Sequence, residues 1–238
     1  MQRNVTSFPD LQNLPLSRPG TEPCNKWHIG VDEVGRGPLF GRVYAAAVIL
    51  PKTGFDTTKV KDSKKYTSEK KIQEANDYVL KNAVAYGIGW RDEKRIDEIN
   101  ILQATQEAMH DAIQQCIQLL QENDANISDI NTLKPQITND EVKIMVDGTY
   151  FRSYPDVEHE CFVQGDSRFP CIAAASIIAK VARDAYIREL CETNLDLVNK
   201  YDLLNNKGYG TVKHRQGILQ HGYTDGHRKS FKLKEKHD

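Results

Sequence analysis

His28-Ile29-Gly30-Val31-Asp32-Glu33-Val34-Gly35-Arg36-Gly37-Pro38 alternates apolar and small or polar residues and then breaks into a glycine-rich bend. A period of two predicts a strand over His28–Val34. Val43–Leu50 follows as a continuous apolar run, a buried strand. Val84, Tyr86, Ile88 and Trp90 alternate strictly and predict a third strand with that face buried. Ser68–Ala83, with Ile72, Ala75, Val79, Leu80 and Ala83 at helical spacing, predicts an amphipathic helix. Asp92–Glu122 reads as a long helical region, one helix or two. Val142–Val146 is a compact apolar strand that stops at Asp147-Gly148, and Glu160–Val163 is a weaker strand ending at Gly165-Asp166. From Pro170 a helical pattern runs to about Tyr201, with Ser167 as the expected cap and small residues, Ala173 to Ala179, suited to close packing on a sheet. A last helix is expected over Val212–Gln220. Three early strands, then strands separated by helices, make this an α/β chain with a mixed sheet flanked by helices.

The chain has 238 residues, enough for one large domain with a real core. Its apolar runs fall far short of the roughly 20 residues that span a bilayer, so no membrane partner is expected. Five scattered cysteines without a C-x-x-C pair argue against a disulfide scaffold or a cysteine zinc site, and for a reducing, cytoplasmic location. Residues 1–26 are polar and hold Pro9, Pro15, Pro19 and Pro23, which predicts a flexible arm. Residues 27–204 then form the main domain, with a polar loop or insertion at about 123–141, and 205–238 a basic helical C-terminal region.

The acids are placed informatively. Asp32-Glu33 ends the first strand, Asp147 ends another directly, and Asp166 lies between a strand and a helix. Groups at strand ends gather where loops open over a sheet edge. Converging carboxylates offer only oxygen, which suits a hard cation such as Mg²⁺ or Mn²⁺ and not zinc. Each is also an ordinary turn acid on its own, since Asp-Gly and Gly-Asp are common turn dipeptides. Adjacent strand residues point to opposite faces, so Asp32 and Glu33 reach one metal together only if the bend at Gly35 ends the strand at Glu33.

Gly35-Arg36-Gly37 is no Walker motif and no dinucleotide fingerprint. Its glycines permit close backbone approach to a sugar or phosphate, and equally a plain tight turn. Charge is unevenly spread. Residues 205–238 hold eight Lys or Arg against three Asp or Glu, a net +5, so the near-neutral total of −1 hides −6 over the first 204 residues. Tyr209 and Tyr223 sit among these lysines and glycines, as on a surface that neutralises phosphates and packs rings on sugars. A solvated tail would look much the same. Joined to a site of clustered carboxylates, the basic end fits a two-metal phosphodiesterase.

Asp32-Glu33-Val34-Gly35-Arg36-Gly37-Pro38-Leu39, Asp62-Ser63-Lys64-Lys65, Asp147-Gly148 and Gly165-Asp166-Ser167-Arg168 follow in order. Ala173 through Asp184, Lys207-Gly208-Tyr209-Gly210-Thr211 and His227-Arg228-Lys229-Ser230-Phe231 complete the set. Together these closely resemble ribonuclease HII, the type 2 ribonuclease H family, over about Trp27 to Phe231. The resemblance implies a ribonuclease H-like fold with a mixed five-stranded sheet and a small helical C-terminal region. It also implies an endonuclease that cuts RNA in RNA–DNA hybrids and incises 5′ to single ribonucleotides in duplex DNA, leaving 3′-hydroxyl and 5′-phosphate ends with two Mg²⁺ or Mn²⁺ ions. Asp32, Glu33, Asp147 and Asp166 match the metal-site acids of that family. Gly35, Arg36 and Gly37 match its sensor of the ribose 2′-hydroxyl, Tyr209 its junction tyrosine, and Lys64 and Lys65 its phosphate contacts.

Asp184 reads instead as a structural residue inside a helix. Asp166, close to a helix N-terminus, is expected to be favoured as a carboxylate. Asn206 stands where a histidine is usual in the family and Tyr66 where a leucine is, which bears on substrate affinity more than on chemistry. A monomer is expected, and the sequence leaves open which protein, a replication clamp or another, docks on it. The rivals are ribonuclease HIII, which differs in the loop after Asp-Glu, and a catalytically silent nucleic-acid binder of the same fold.

Overall fold

The computed structural model describes residues 26–127 and 141–233; the proline-rich arm and most of the 123–141 stretch lie outside the described residues. In chain order the elements are β1 (Trp27–Val34), β2 (Val43–Ile49), α1 (Glu69–Asn82), β3 (Ala85–Arg91), α2 (Glu93–Ile127), β4 (Val142–Asp147) and β5 (Glu158–Phe162). Then come α3 (Pro170–Thr193), α4 (Leu195–Asn199), α5 (Leu203–Asn206) and α6 (Val212–His221). The five strands form one sheet in the order β3-β2-β1-β4-β5. β1 pairs antiparallel with β2, and β2 with β3, while β4 runs parallel to both β1 and β5. Parallel pairing of β4 with β1 requires a long crossover, which α2 supplies.

Both faces of the sheet are covered. Ile29 and Val31 of β1 pack with Ala45, Ala47 and Ile49 of β2 against Ala108, Ala112, Ile113 and Cys116 of α2. Ala46 and Val48 pack the opposite way, against Val79 of α1 and Ala174, Ala175, Ile177 and Ile178 of α3. Ser68 caps α1, its hydroxyl accepting from the Lys71 amide at 3.3 Å. The long helical region is indeed two segments. Asn100 breaks α2 at φ 68°, and its side-chain oxygen accepts from the amides of Leu102 and Gln103, capping the second segment.

Four expectations are corrected. In β3 the buried side is Ala85, Gly87 and Gly89, while Trp90 is 41% exposed. The glycines let α2 lie directly on the strand, since a Cβ at Gly87 or Gly89 would meet the carbonyls of Ala112 and Ala108. The polar stretch read as a loop from Asn123 begins as helix, because α2 continues to Ile127. Ser167 does not cap α3; it lies in a 3-10 turn, Gly165–Ser167, its hydroxyl donating to the Gln164 carbonyl, and Phe169 is the cap residue before Pro170. The pattern from Pro170 to Tyr201 is broken at Asn194, whose extended backbone ends α3 and whose side chain caps α4.

The C-terminal elements pack on the second half of α3 through Ile187, Leu197, Tyr201, Leu203 and Ile218, with Leu39 and Phe40 from the loop after β1. Among the described residues no helix is long and apolar enough to cross a membrane.

A similarly close contact joins α3 to β1. A Cβ at Gly30 would overlap the main chain of Cys171 and Ile172 in the first turn of α3. Gly30→Ala is therefore expected to lower stability by about 2–3 kcal/mol, since neither backbone can yield cheaply. Thermal melting checks this; an unchanged melting temperature would mean that α3 does not rest on β1 there.

Candidate active site

β1 and β4 are parallel neighbours with Val31 opposite Val146, the last pair of their register, so Asp32 and Asp147 follow side by side where that pairing ends. Asp32 has the parity of Gly30 and points to the α3 side, where the turn before α3 delivers Asp166. One carboxylate oxygen from each of Asp32, Asp147 and Asp166 lies within 4.8 Å of the others. Asp32 and Asp166 are buried and Asp147 half-buried. The Gly165 amide donates to Asp147 Oδ1 at 2.7 Å, tying the turn to β4, and the Glu33 amide donates to Asp32 Oδ1 at 2.7 Å.

Glu33 is not one of these three. β1 continues past it to Val34, paired with Tyr44, so the strand does not end at Glu33 as expected. With the parity of Val31, Glu33 projects on the other side of the sheet rim, where Arg36 Nη1 meets Oε1 at 3.3 Å.

The electrostatics are those of an uncompensated acidic cluster. Burial, then the charges of Glu33, Asp147 and Asp166, hold the Asp32 carboxyl well above the usual range. Burial also raises Glu33, against the opposing charge of Arg36. Asp166 is raised by burial, then by Asp62 and Asp147. This runs against the expectation that the helix N-terminus would favour its ionised form: burial and like charge raise it, and Asp166 lies in the 3-10 turn four residues before α3 starts. Lys64 opposes the shift from the rim, its Nζ 3.5 Å from Asp166 Oδ2. Lys65 is exposed. The loop carrying both is anchored on α3, where the Ser176 hydroxyl donates to Ser63 Oγ at 2.7 Å. Asp184 lies away from the cluster and pairs with Lys180 one turn earlier in α3.

Gly35 has φ 90°, and a Cβ there would collide with the side chain of Arg183. That guanidinium donates to the carbonyls of Arg42, Lys207 and Phe40 at 3.1, 2.9 and 3.3 Å. Arg228 gathers the rest of the loop, donating to the carbonyls of Gly35, Arg36, Pro38 and Gly41 at 2.6 to 3.0 Å. Both arginines are fully buried. Desolvation and the neighbouring Arg183 charge push Arg228 down to about 9, so it stays protonated at neutral pH. Tyr209 is 42% exposed, and its ring edge lies 3.7 Å from where a Gly37 Cβ would stand. The Asn206 amide donates to the Tyr201 carbonyl at 2.8 Å, and its oxygen accepts from the Gly208 amide at 2.8 Å, so this residue fixes the turn leading to Tyr209.

Sequence reasoning missed Arg183, Arg228 and Asp62. The signal for Arg183 was present: it lies four residues from Ala179 and four from Ile187, both buried on the same helix face. Arg228 was counted as surface charge in a basic tail and is instead a buried clasp.

A family model described as ribonuclease HII matches residues 29–234. The ribonuclease HII of Bacteroides thetaiotaomicron is 41% identical over 204 residues, covering 86% of this chain and 88% of its own. That of Pelagibacter ubique is 39% identical over 202 residues, covering 85% and 94%. The chain belongs to the ribonuclease HII family. Its fold is that of two solved relatives. The ribonuclease HII of the PCNA complex from Archaeoglobus fulgidus superposes with a TM-score of 0.56 at 24% identity, covering 88% of this chain and 97% of that one. The ribonuclease H2 of Pyrococcus horikoshii gives 0.55 at 20%, covering 86% and 93%. A type 2 ribonuclease H with divalent-metal dependence follows from membership in the ribonuclease HII family, and the all-oxygen, mutually repelling donor set of Asp32, Asp147 and Asp166 fits a hard divalent cation.

Without metal, Asp32→Asn is expected to stabilise the protein by about 1–2 kcal/mol, because a buried charge among like charges is removed. Added Mg²⁺ or Mn²⁺ should raise the melting temperature of the parent protein and much less that of the variant. A variant less stable than the parent in chelator, with an unchanged metal response, would contradict the cluster's electrostatics.

Proposed function

We propose that this ribonuclease HII hydrolyses the RNA strand of RNA–DNA hybrids and incises duplex DNA 5′ to single embedded ribonucleotides, leaving 3′-hydroxyl and 5′-phosphate ends. The observation that carries the reading is the adjacency of two features. A cluster of three aspartates includes Asp32, three residues before a glycine bend whose carbonyls are held by Arg228, with the Tyr209 ring against that bend.

Asp32, Asp147 and Asp166 would hold the metal, with Glu33 joining from the rim. Divalent ions bound there supply an activated water and neutralise charge at the scissile phosphate and leaving oxygen. The protein's own groups do the selecting. Arg228 and Arg183 take carbonyls of the 35–42 loop, and the Leu39 and Gly41 amides donate to the carbonyls of Gly208 and Gly226, so the Gly35–Gly37 bend is the part of the loop that would meet the ribose 2′-hydroxyl, the group that separates RNA from DNA. Tyr209 presents a ring face for the sugar on the far side of that loop. Lys64, whose Nζ lies 3.5 Å from Asp166 Oδ2, would meet a backbone phosphate, as would Lys65 next to it along the exposed loop.

A labelled DNA duplex with one ribonucleotide tests this. With Mg²⁺ or Mn²⁺ one incision is expected 5′ to the ribonucleotide, none in EDTA, and a loss on the order of 10³-fold or more in Asp147→Asn. Equal cutting of an all-DNA duplex, or full activity in that variant, would contradict the reading. Tyr209→Ala should weaken incision at isolated ribonucleotides about tenfold more than cutting of a continuous hybrid, the worth of one stacking contact. Equal losses on both substrates would remove Tyr209 from the junction.

A further inference from the structure

The Tyr209 ring is exposed, but its main chain is held on every side. Its amide donates to the Asn206 carbonyl at 2.9 Å, and its carbonyl accepts from the Thr211 amide at 2.8 Å and from His214 Nδ1 at 3.0 Å. The last of these bonds ends a chain whose proton positions can be worked out. The Thr224 amide can only donate, and it points at His227 Nδ1 from 2.9 Å, so that nitrogen carries no proton. A neutral His227 then carries its proton on Nε2, which faces His214 Nε2 at 3.1 Å. His214 Nε2 must therefore accept, and the His214 proton sits on Nδ1, aimed at the Tyr209 carbonyl.

Thr224, His227, His214 and Tyr209 thus form a one-way relay of hydrogen bonds. Both imidazoles are fully buried, with Phe40, Tyr201 and Tyr223 edge-on around His227. Burial keeps both rings neutral, pushing His227 down to about 4 and His214 down as well. His227 also forms an isolated bridge with Phe40, and the next residue is Arg228, which clasps the 35–41 loop. One two-residue segment therefore references both walls of the sugar-contacting surface.

We propose that His214 and His227 are positioning residues that set the Tyr209 main chain, and so the distance between its ring and the Gly35–Gly37 loop. The proposal rests on the role given to Tyr209 above and extends it. His214 touches no substrate; it acts only through the tyrosine.

Substitutions can separate the two bonds made by His214. An asparagine amide overlays Nδ1 and still donates to the Tyr209 carbonyl; a glutamine amide overlays Nε2 and cannot. His214→Phe keeps ring volume and makes neither bond. The readout is the ratio of kcat/KM on a single-ribonucleotide duplex to that on a continuous hybrid. His214→Gln and His214→Phe are expected to lower this ratio about as much as Tyr209→Ala, on the order of tenfold, and His214→Asn by less than about threefold. His214→Gln should add nothing in a Tyr209→Ala background. Ile218→Ala, which loosens α6 packing without touching the relay, should lower the melting temperature and leave the ratio unchanged. Nitrogen-15 imidazole spectra of the intact protein should show His214 protonated on Nδ1 and His227 on Nε2.

A ratio moved by Tyr209→Ala but untouched by His214→Gln overturns the pair's role while leaving the tyrosine's intact. So does an equal loss in Ile218→Ala, or the opposite tautomers. A ratio unmoved by Tyr209→Ala removes the tyrosine's role, and this proposal with it.

Discussion

The contact between the first turn of α3 and the backbone of β1 at Gly30 determines the site. Because no side chain separates them, α3 begins directly over the sheet, and the turn that precedes it sets Asp166 against Asp32 and Asp147. Ala174 and Ala175 continue the packing of α3 against Ala46 and Val48 of β2. Moved outward by a side chain's thickness, α3 would carry Asp166 out of reach of the other two carboxylates. The resulting cluster works against folding, since buried like charges raise the carboxyls of Asp32 and Asp166. Such local frustration is expected where a site is built for a ligand rather than for stability.

A second set of buried charges shapes the neighbouring surface. Arg183 and Arg228 have main-chain carbonyls as partners for their donors, seven in all, and those carbonyls belong to 35–42 and Lys207. Burying a guanidinium is tolerable only when its donors are satisfied. The loop and the arginines are therefore mutually required: the cations need a ring of carbonyls, and the glycine bend supplies one. In this way residues nearly two hundred positions apart in sequence build one wall.

Much of this was legible in the chain, for identifiable reasons. Asp147 stood out because it ends an uninterrupted apolar strand, and Asp32 because its strand alternates cleanly. Glu33 was legible as a problem of parity: β1 runs on past it to Val34, and its carboxylate pairs with Arg36 while Asp32 joins the cluster. The buried side of β3 was misread because Gly87 and Gly89 carry no hydrophobic signal, though they pack most tightly. The titration of Asp166 was misjudged because a helix dipole is visible in sequence and desolvation is not. The basic tail was read as surface charge because composition does not tell a solvated arginine from one buried among carbonyls.

The central claim is that Asp32, Asp147 and Asp166 form a divalent-metal centre. Anomalous diffraction at the manganese edge from crystals grown with Mn²⁺ tests it most directly. The account predicts an anomalous peak in contact with carboxylate oxygens of all three aspartates, at roughly 2.0–2.6 Å for a hard cation. Manganese bound elsewhere, with these three carboxylates left without it, would contradict the account.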